Sequence, residues 1–229
     1  MKESEFRIFI GNLPQVPGIL GRDLYFHSAV LVPFLLIGDD YHLLFQKRAA
    51  GIRQGSEICF PGGRYDGALD RDFQETALRE TEEELGLARE KITITGRLDT
   101  LITPRGVIIE TFIGTLSLDS LDELAPASRE VEEVFTIPVS WFIDNKPEIY
   151  STRVELQPST TGPDGSKQIL LPVDELGLPA MYAQNREGMK YRVLVYKTER
   201  YLIWGITAAI VFEMVQKMIG VKEGEAWPL

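Results

Sequence analysis

The chain of 229 residues contains one cysteine, Cys59, and two histidines, His27 and His42. A lone thiol excludes an internal disulfide framework and any zinc site built on several thiolates. It fits a reducing cytoplasm. Long apolar runs are missing too. The longest, Ala29 to Ile37, carries a proline and has about half the length a membrane helix needs, roughly 20 residues. The opening MKESEFRIFIGNLPQVPG mixes charges among its apolar residues, so no secretory signal is expected there. Positive charge is in deficit, with 24 Lys and Arg against 34 Asp and Glu. The net charge of -10 repels a nucleic-acid backbone, which argues against polymeric DNA or RNA as a partner. A small anionic ligand stays compatible where a cation or a local basic patch screens it. Neither internal repeats nor low-complexity tracts are seen.

What is present is ordinary globular usage, 44% hydrophobic and 25% charged, expected to fold as one elaborated domain over residues 1–229. After an irregular lead, Ser28 to Ile37 and Tyr41 to Arg48 read as strands around the turn Gly38-Asp39-Asp40. A glycine-rich loop, Gly51 to Gly67, holds a short strand at Glu57 to Phe60. A helix starting at Asp70 or Asp72 and stopping at Gly86 follows, with Ala77, Leu78, Thr81 and Leu85 as its packed stripe. Glu80, Glu83 and Glu84 fall on its other side. Ile92 to Ile102 and Val107 to Leu116 read as strands, and Ser128 to Val134 as a short capped helix. Residues 149–188 read as a hairpin elaboration of the main sheet, and Tyr201 to Gly220 as an amphipathic helix, with Trp204 in the core.

The acidic cluster poses the chemical question. At helical spacing Glu80, Glu83 and Glu84 share a face, about 5–6 Å apart at their bases. Two such charges in a partly shielded site repel by about 3 kcal/mol. Water relieves this if the face is solvated. A hard divalent cation, Mg²⁺ or Mn²⁺, relieves it more specifically, because such ions prefer carboxylate oxygens and water. Gly62 and Gly63 permit a turn that points backbone groups at an ion or phosphate. Arg79, four residues before Glu83, can orient that carboxylate.

The run PGG followed by RETEEELGL resembles the box of the Nudix hydrolase family, Gly-x5-Glu-x7-Arg-Glu-U-x-Glu-Glu-x-Gly-U with U aliphatic. Gly63 matches the opening glycine, and Arg79, Glu80, Glu83, Glu84, Gly86 and Leu87 match in turn, giving a box over 63–87. The segment between Gly63 and Arg79 is two residues longer than the pattern, Arg71 stands where its first glutamate belongs, and Thr81 replaces an aliphatic residue. Glu75 or Asp72 could substitute for the missing glutamate. The resemblance implies an α+β fold, a Nudix-type α/β/α sandwich with a mixed sheet and a loop-helix-loop box. It also implies a Mg²⁺ or Mn²⁺ cofactor and a possible homodimer.

Upstream, LLFQKRAAGIRQGSEICFPGG resembles the coenzyme A diphosphatase branch, matching at Leu44, Arg48, Ala49, Arg53 and Phe60 to Gly63, with Ser56 where that branch has glycine. The resemblance implies hydrolysis of coenzyme A or acyl-CoA to 3′,5′-ADP and (acyl-)4′-phosphopantetheine. Glu80, Glu83, Glu84 and a backbone carbonyl at Gly63 are then the metal site. Glu83 is the first choice as general base, with Glu130 as the candidate outside the box and Arg79 as its orienting cation. Arg48, Arg53, Arg64 and Gly62 are the candidates for substrate phosphates. Each of these charges alone could be a solvated surface group. Two rivals stay open: a Nudix hydrolase of ADP-ribose, other nucleoside-diphosphate sugars or dinucleotides, and a Nudix module that binds ligand without catalysis. Cys59 reads as a small buried apolar residue, and His27 and His42 stand apart from other ligand-type residues.

Overall fold

The computed structural model describes residues 1–220. In chain order the elements are α1 (Glu3–Gly11), β1 (Phe26–Ile37), β2 (Asp40–Arg48), β3 (Ile58–Cys59), β4 (Gly62–Arg64), α2 (Phe73–Leu85), β5 (Ile92–Arg97), β6 (Leu101–Thr103), β7 (Val107–Leu116), β8 (Val131–Pro138), α3 (Val139–Asp144), β9 (Glu148–Leu156), β10 (Ser159–Thr161), β11 (Lys167–Ile169), β12 (Arg186–Lys197), β13 (Leu202–Trp204) and α4 (Gly205–Met218). Among the described residues no helix is long and apolar enough to cross a membrane.

The main sheet has eight strands, with the path β3-β2-β1-β7-β5 and with β4 on β1, β6 on β7 and β8 on β2. It is mixed, because β1 runs parallel to β7 while the other pairs are antiparallel. β1 is long enough to serve two antiparallel partners, β4 opposite residues 28–30 and β2 opposite residues 34–37. Pro33 falls between these segments, where neither antiparallel partner stands opposite it. Alternation sends Ala29, Leu31, Leu35 and Leu44 to one face, against Ala77, Leu78 and Leu85 of α2. Val32, Phe34, Leu43 and Phe45 go to the other, against Phe142 of α3 and Ile210, Val211 and Met214 of α4. The result is a sandwich of helix, mixed sheet and helix.

α2 forms as its caps dictate. The Asp72 carboxylate accepts the Glu75 amide at 2.9 Å, and Gly86 closes the helix in the left-handed region at φ 62°. Thr81 sits in the buried stripe because its hydroxyl donates to the Ala77 carbonyl at 2.6 Å, which satisfies the polar atom inside the helix. Glu84 departs from expectation. It is buried, turned toward β2 rather than onto an open acidic face.

Several elements differ from the sequence reading. The lead contains α1, which has no buried residue and therefore shows no packed stripe to detect; Glu3 and Glu5 in its first turn favour it through the helix dipole. Ile92 to Ile102 is split into β5 and β6, with a register shift between Ile94 and Gly96. Ser128 to Val134 is a turn running into β8, not a helix. Val131, Phe135 and Ile137 are buried while pairing with β2 continues, and β-branched and aromatic residues suit a strand there. The segment from 149 to 188 does not extend the main sheet. β9, β12 and β13 form a separate three-stranded sheet, with the small β10–β11 hairpin between β9 and β12. That sheet is anchored by Leu194, Tyr196 and Ile203, which lie in the α4-side core. β13 also takes the start of the expected terminal helix, and its two-residue alternation buries Ile203 and leaves Trp204 44% exposed rather than packed.

The loop from β2 to β3 holds two non-glycine residues in the left-handed region, Gln54 at φ 57° and Ser56 at φ 65°. Ser56 occupies the position where the resembled branch has glycine, so a Cβ is carried where glycine would be unstrained. Ser56→Gly is expected to raise stability by about 0.5–1 kcal/mol, relief of strain outweighing the added freedom of the unfolded chain. Urea unfolding at neutral pH measures this, and a loss of stability would contradict it.

Candidate active site

The site forms where α2 packs against β1 and β4, and it is organised by one guanidinium. Arg79 Nε donates to Asp70 Oδ1 at 2.8 Å and Nη2 to Asp70 Oδ2 at 3.1 Å, a two-pronged pair. Its Nη1 donates to Glu80 at 2.8 Å and to Glu83 at 3.4 Å, and Nη2 also reaches the Arg64 carbonyl at 3.3 Å. Asp70 is buried and further accepts the Thr76 hydroxyl at 2.8 Å and the Asp66 amide at 3.0 Å. The Arg79 guanidinium holds the Asp70 carboxyl down at about 2. Asp70 therefore does the orienting work expected of Glu75 or Asp72. Asp72 is spent on the helix cap, and Glu75 pairs outward with Arg71 and Arg89, each at 2.8 Å.

The three box glutamates stand in unequal surroundings. Glu84 is 3% exposed. Its Oε2 accepts Gln46 Nε2 at 2.7 Å and the Gly62 amide at 2.9 Å, while Oε1 lies 3.8 Å from Arg48 Nη1. Burial pushes its carboxyl up to about 7, with the Glu80 charge adding to the rise. Glu80 is also raised, first by burial, with the charges of Glu83 and Glu130 adding and Arg79 opposing. Glu83 is different: its side chain is 61% exposed and its contact with Arg79 is long.

The two glycines matter for different reasons, Gly62 against fixed backbone and Gly63 because any side chain there would displace the Glu80 carboxylate. A Cβ on Gly62 would lie 2.4 Å from the Ala29 carbonyl oxygen, and one on Gly63 would lie 2.3 Å from Glu80 Cδ. The Gly63 carbonyl accepts the Ser28 hydroxyl at 2.7 Å, and Gly63 stands opposite Ala29 in the β1–β4 ladder. Oxygen donors confined together, two of them destabilised as anions by burial, fit a hard divalent cation. As they stand the side chains are not converged on one point: among the described residues no group of three or more acidic, His or Cys side chains is drawn in far enough to hold an ion. The exposed Glu83 would have to swing inward, and Arg48 would have to yield at Glu84.

The other expected residues are placed as follows. Glu130 lies in the turn before β8, not on a helix, and its carbonyl accepts the Ala49 amide at 2.9 Å, which ties this turn to the end of β2. Arg48 faces Glu84 and donates from Nε to the Arg53 carbonyl at 3.3 Å. The Arg53 side chain is exposed. Arg64 is exposed on β4 with its guanidinium 5.5 Å from the Phe26 ring centre. Cys59 Sγ lies 3.6 Å from Gln46 Nε2, and burial keeps its thiol neutral by pushing it up to about 11. His27 Nε2 is 2.8 Å from the Arg22 carbonyl and its ring stacks on Phe73, a structural role.

Three site residues escaped the sequence reading: Asp70, Ser28 and Gln46. Asp70 lies nine residues before Arg79, one step off the pattern's position. Gln46 was visible as a polar residue on the inward phase of LLFQKR, two after the buried Leu44.

Two predictions follow from this geometry. Asp70→Asn removes the buried, two-pronged partner of Arg79, which keeps Glu80 and Glu83, and should cost about 2–3 kcal/mol, whereas Asp72→Ala removes only a cap, about 1 kcal/mol. Equal losses in urea unfolding at pH 7 would contradict the assignment. The second concerns pH. With the Glu84 carboxyl raised from its ordinary 4.5 to about 7, the stability it contributes is fully present below pH 4.5 and is lost as pH rises through about 7. Melting of the metal-free protein across pH 4.5–8 should show this decline, and Glu84→Gln should flatten it. Parallel curves for the two proteins would refute the assignment.

The chain is similar to several known proteins. The mouse peroxisomal coenzyme A diphosphatase NUDT7 is 34% identical over 123 residues, 53% of this chain and 50% of that protein. The human mitochondrial coenzyme A diphosphatase NUDT8 is 35% identical over 127 residues, 54% and 53% of the two chains. The match thus spans about half the length of each of these relatives. The uncharacterized Nudix hydrolase NudL of Photorhabdus laumondii is 27% identical over 195 residues, 84% of both chains. A family model described as NUDIX domain matches residues 26–156, more than half of the chain and the whole of the site described above, and the chain belongs to the Nudix family.

Proposed function

We propose that the chain is a Nudix pyrophosphohydrolase that cleaves coenzyme A or acyl-CoA to 3′,5′-ADP and (acyl-)4′-phosphopantetheine. The observation that carries this reading is the Arg79 hub, which gathers Asp70, Glu80 and Glu83 beside the buried Glu84 and the Gly62–Gly63 start of β4. Support for coenzyme A comes from the run Arg48 to Gly63 and from the similarity to two coenzyme A diphosphatases. Nudix hydrolases generally use divalent metals, and here Mg²⁺ or Mn²⁺ would be held by Glu80, Glu83, Glu84 and the Gly63 carbonyl. When bound, the ion would neutralise pyrophosphate charge and acidify the attacking water.

The protein's own groups divide the remaining work by mobility. Glu84, fixed by two donors to Oε2, is suited to hold a position and not to move a proton. Glu83 is exposed and weakly tethered, so it can reach the attacking water and accept its proton as general base. Glu130, near enough to perturb Glu80, is the alternative base. Arg79 positions Glu80 and Glu83 and touches no reacting atom. Arg48, Arg53 and Arg64 would meet the phosphates, where a guanidinium can bind two oxygens at once; Gly62, expected beside them in a turn, lies instead in β4 with its amide given to Glu84. Water adds at one phosphorus, the anhydride P–O bond breaks, and the second phosphate leaves with its oxygen. A reducing compartment such as the cytoplasm suits the single neutral thiol.

Incubation with coenzyme A and Mg²⁺, with products identified by mass spectrometry beside ADP-ribose and dinucleotide controls, tests the substrate. Release of phosphopantetheine is expected, and Glu83→Gln should lower kcat by about 10²–10⁴-fold. Turnover of ADP-ribose with coenzyme A inert would overturn the substrate. Ligand binding without metal-stimulated turnover of any nucleotide would make the chain a non-catalytic module.

A further inference from the structure

Gln46 is the feature that the reading above leaves unused. It stands on β2, opposite Cys59 of β3 and Val134 of β8, and it is 0% exposed. Its strand phase is that of Leu44, which packs against α2, so an aliphatic side chain would suit the position. An amide buried there needs a reason.

The hydrogen bonds supply it. Gln46 Nε2 donates to Glu84 Oε2 at 2.7 Å, while Gln46 Oε1 has no hydrogen-bond partner among the described residues. Against the ionised Glu84, the form that holds a cation, turning the amide over would set two acceptors face to face. The side chain thus leaves its own oxygen unpaired in order to direct a donor at Glu84. Together with the Gly62 amide it occupies Oε2 from two sides, and only Oε1 is left to face Arg48 and the open site.

We propose that Gln46 is a positioning residue that locks Glu84 with Oε1 presented to the divalent cation. The inference rests on the metal-dependent reading given above. Partners that fix a ligand's orientation contribute to metal affinity without touching the ion, and their loss typically weakens binding about 10- to 100-fold.

The test is titration of the protein with Mn²⁺, the free ion read by its paramagnetic resonance signal, for wild type, Gln46→Met and Glu84→Gln. Gln46→Met keeps length and volume and removes the donor. Its Mn²⁺ Kd should rise about 10- to 100-fold, and the Mn²⁺ concentration giving half-maximal coenzyme A hydrolysis should rise in parallel. Thermal melting and circular dichroism establish that the variant is folded. If it does not fold, Gln46→Leu, which also lacks any donor and matches the aliphatic Leu44 on the same face of β2, carries the same expectation. A folded variant that melts earlier yet binds Mn²⁺ as wild type does reduces Gln46 to a core amide and overturns the inference alone. Wild type that binds no Mn²⁺ while Glu84→Gln behaves identically overturns the metal reading as well.

Discussion

One guanidinium holds the site together. Arg79 projects from the middle of α2 and binds, at once, an acid from the preceding loop, two acids of its own helix and a carbonyl of β4. The loop, the helix and the strand edge are therefore one rigid unit rather than three neighbours. Asp70 makes this stable: buried and fully hydrogen-bonded, it stays ionised, so the guanidinium is compensated on its covered side. With that charge answered, Glu80 and Glu83 are oriented without neutralising the whole cluster.

What remains is an excess of negative charge in a place that disfavours it. Glu84 and Glu80 are both raised by burial, and Glu83 and Glu130 add repulsion. Such a site is less stable as a set of anions than the same acids would be in water. A fold that keeps it, with a glycine at 62 to let the strand approach and one at 63 to leave room for the Glu80 carboxylate, is under tension that a hard cation relieves. Rigid Glu84 and exposed Glu83 then suit different tasks, one holding and one moving. The same inequality links the local environment of each carboxylate to its part in a hydrolytic step.

Much of this was legible in the chain because it is local. The α2 helix announces itself through Asp72, Gly86 and the Ala77–Leu78–Leu85 spacing, and β1, β2 and β7 through their apolar phase. The box acids follow from their spacing once the helix is placed. What escaped was set by tertiary pairing. β8 was hidden because Ser128 and the following glutamates look like a helix start, until pairing with β2 decides the matter. Asp70 lay one residue off the expected offset, and only the path of the longer loop brings it to Arg79. Gln46 was a polar residue in a run otherwise fit for a core, and its partner lies 38 positions away. The second sheet could not be told from an extension of the first, since hairpin signals say which strands pair locally and not which sheet they join.

The account stands on the claim that these acids converge on a cation. The most direct measurement is the anomalous diffraction of Mn²⁺ in a crystal of this protein soaked with the ion. A peak coordinated by Glu84 Oε1 and Glu80, with Glu83 swung inward and Arg48 withdrawn from Glu84, is the result expected. Full density for the acids with Arg48 still on Glu84 and the manganese elsewhere or absent would contradict it.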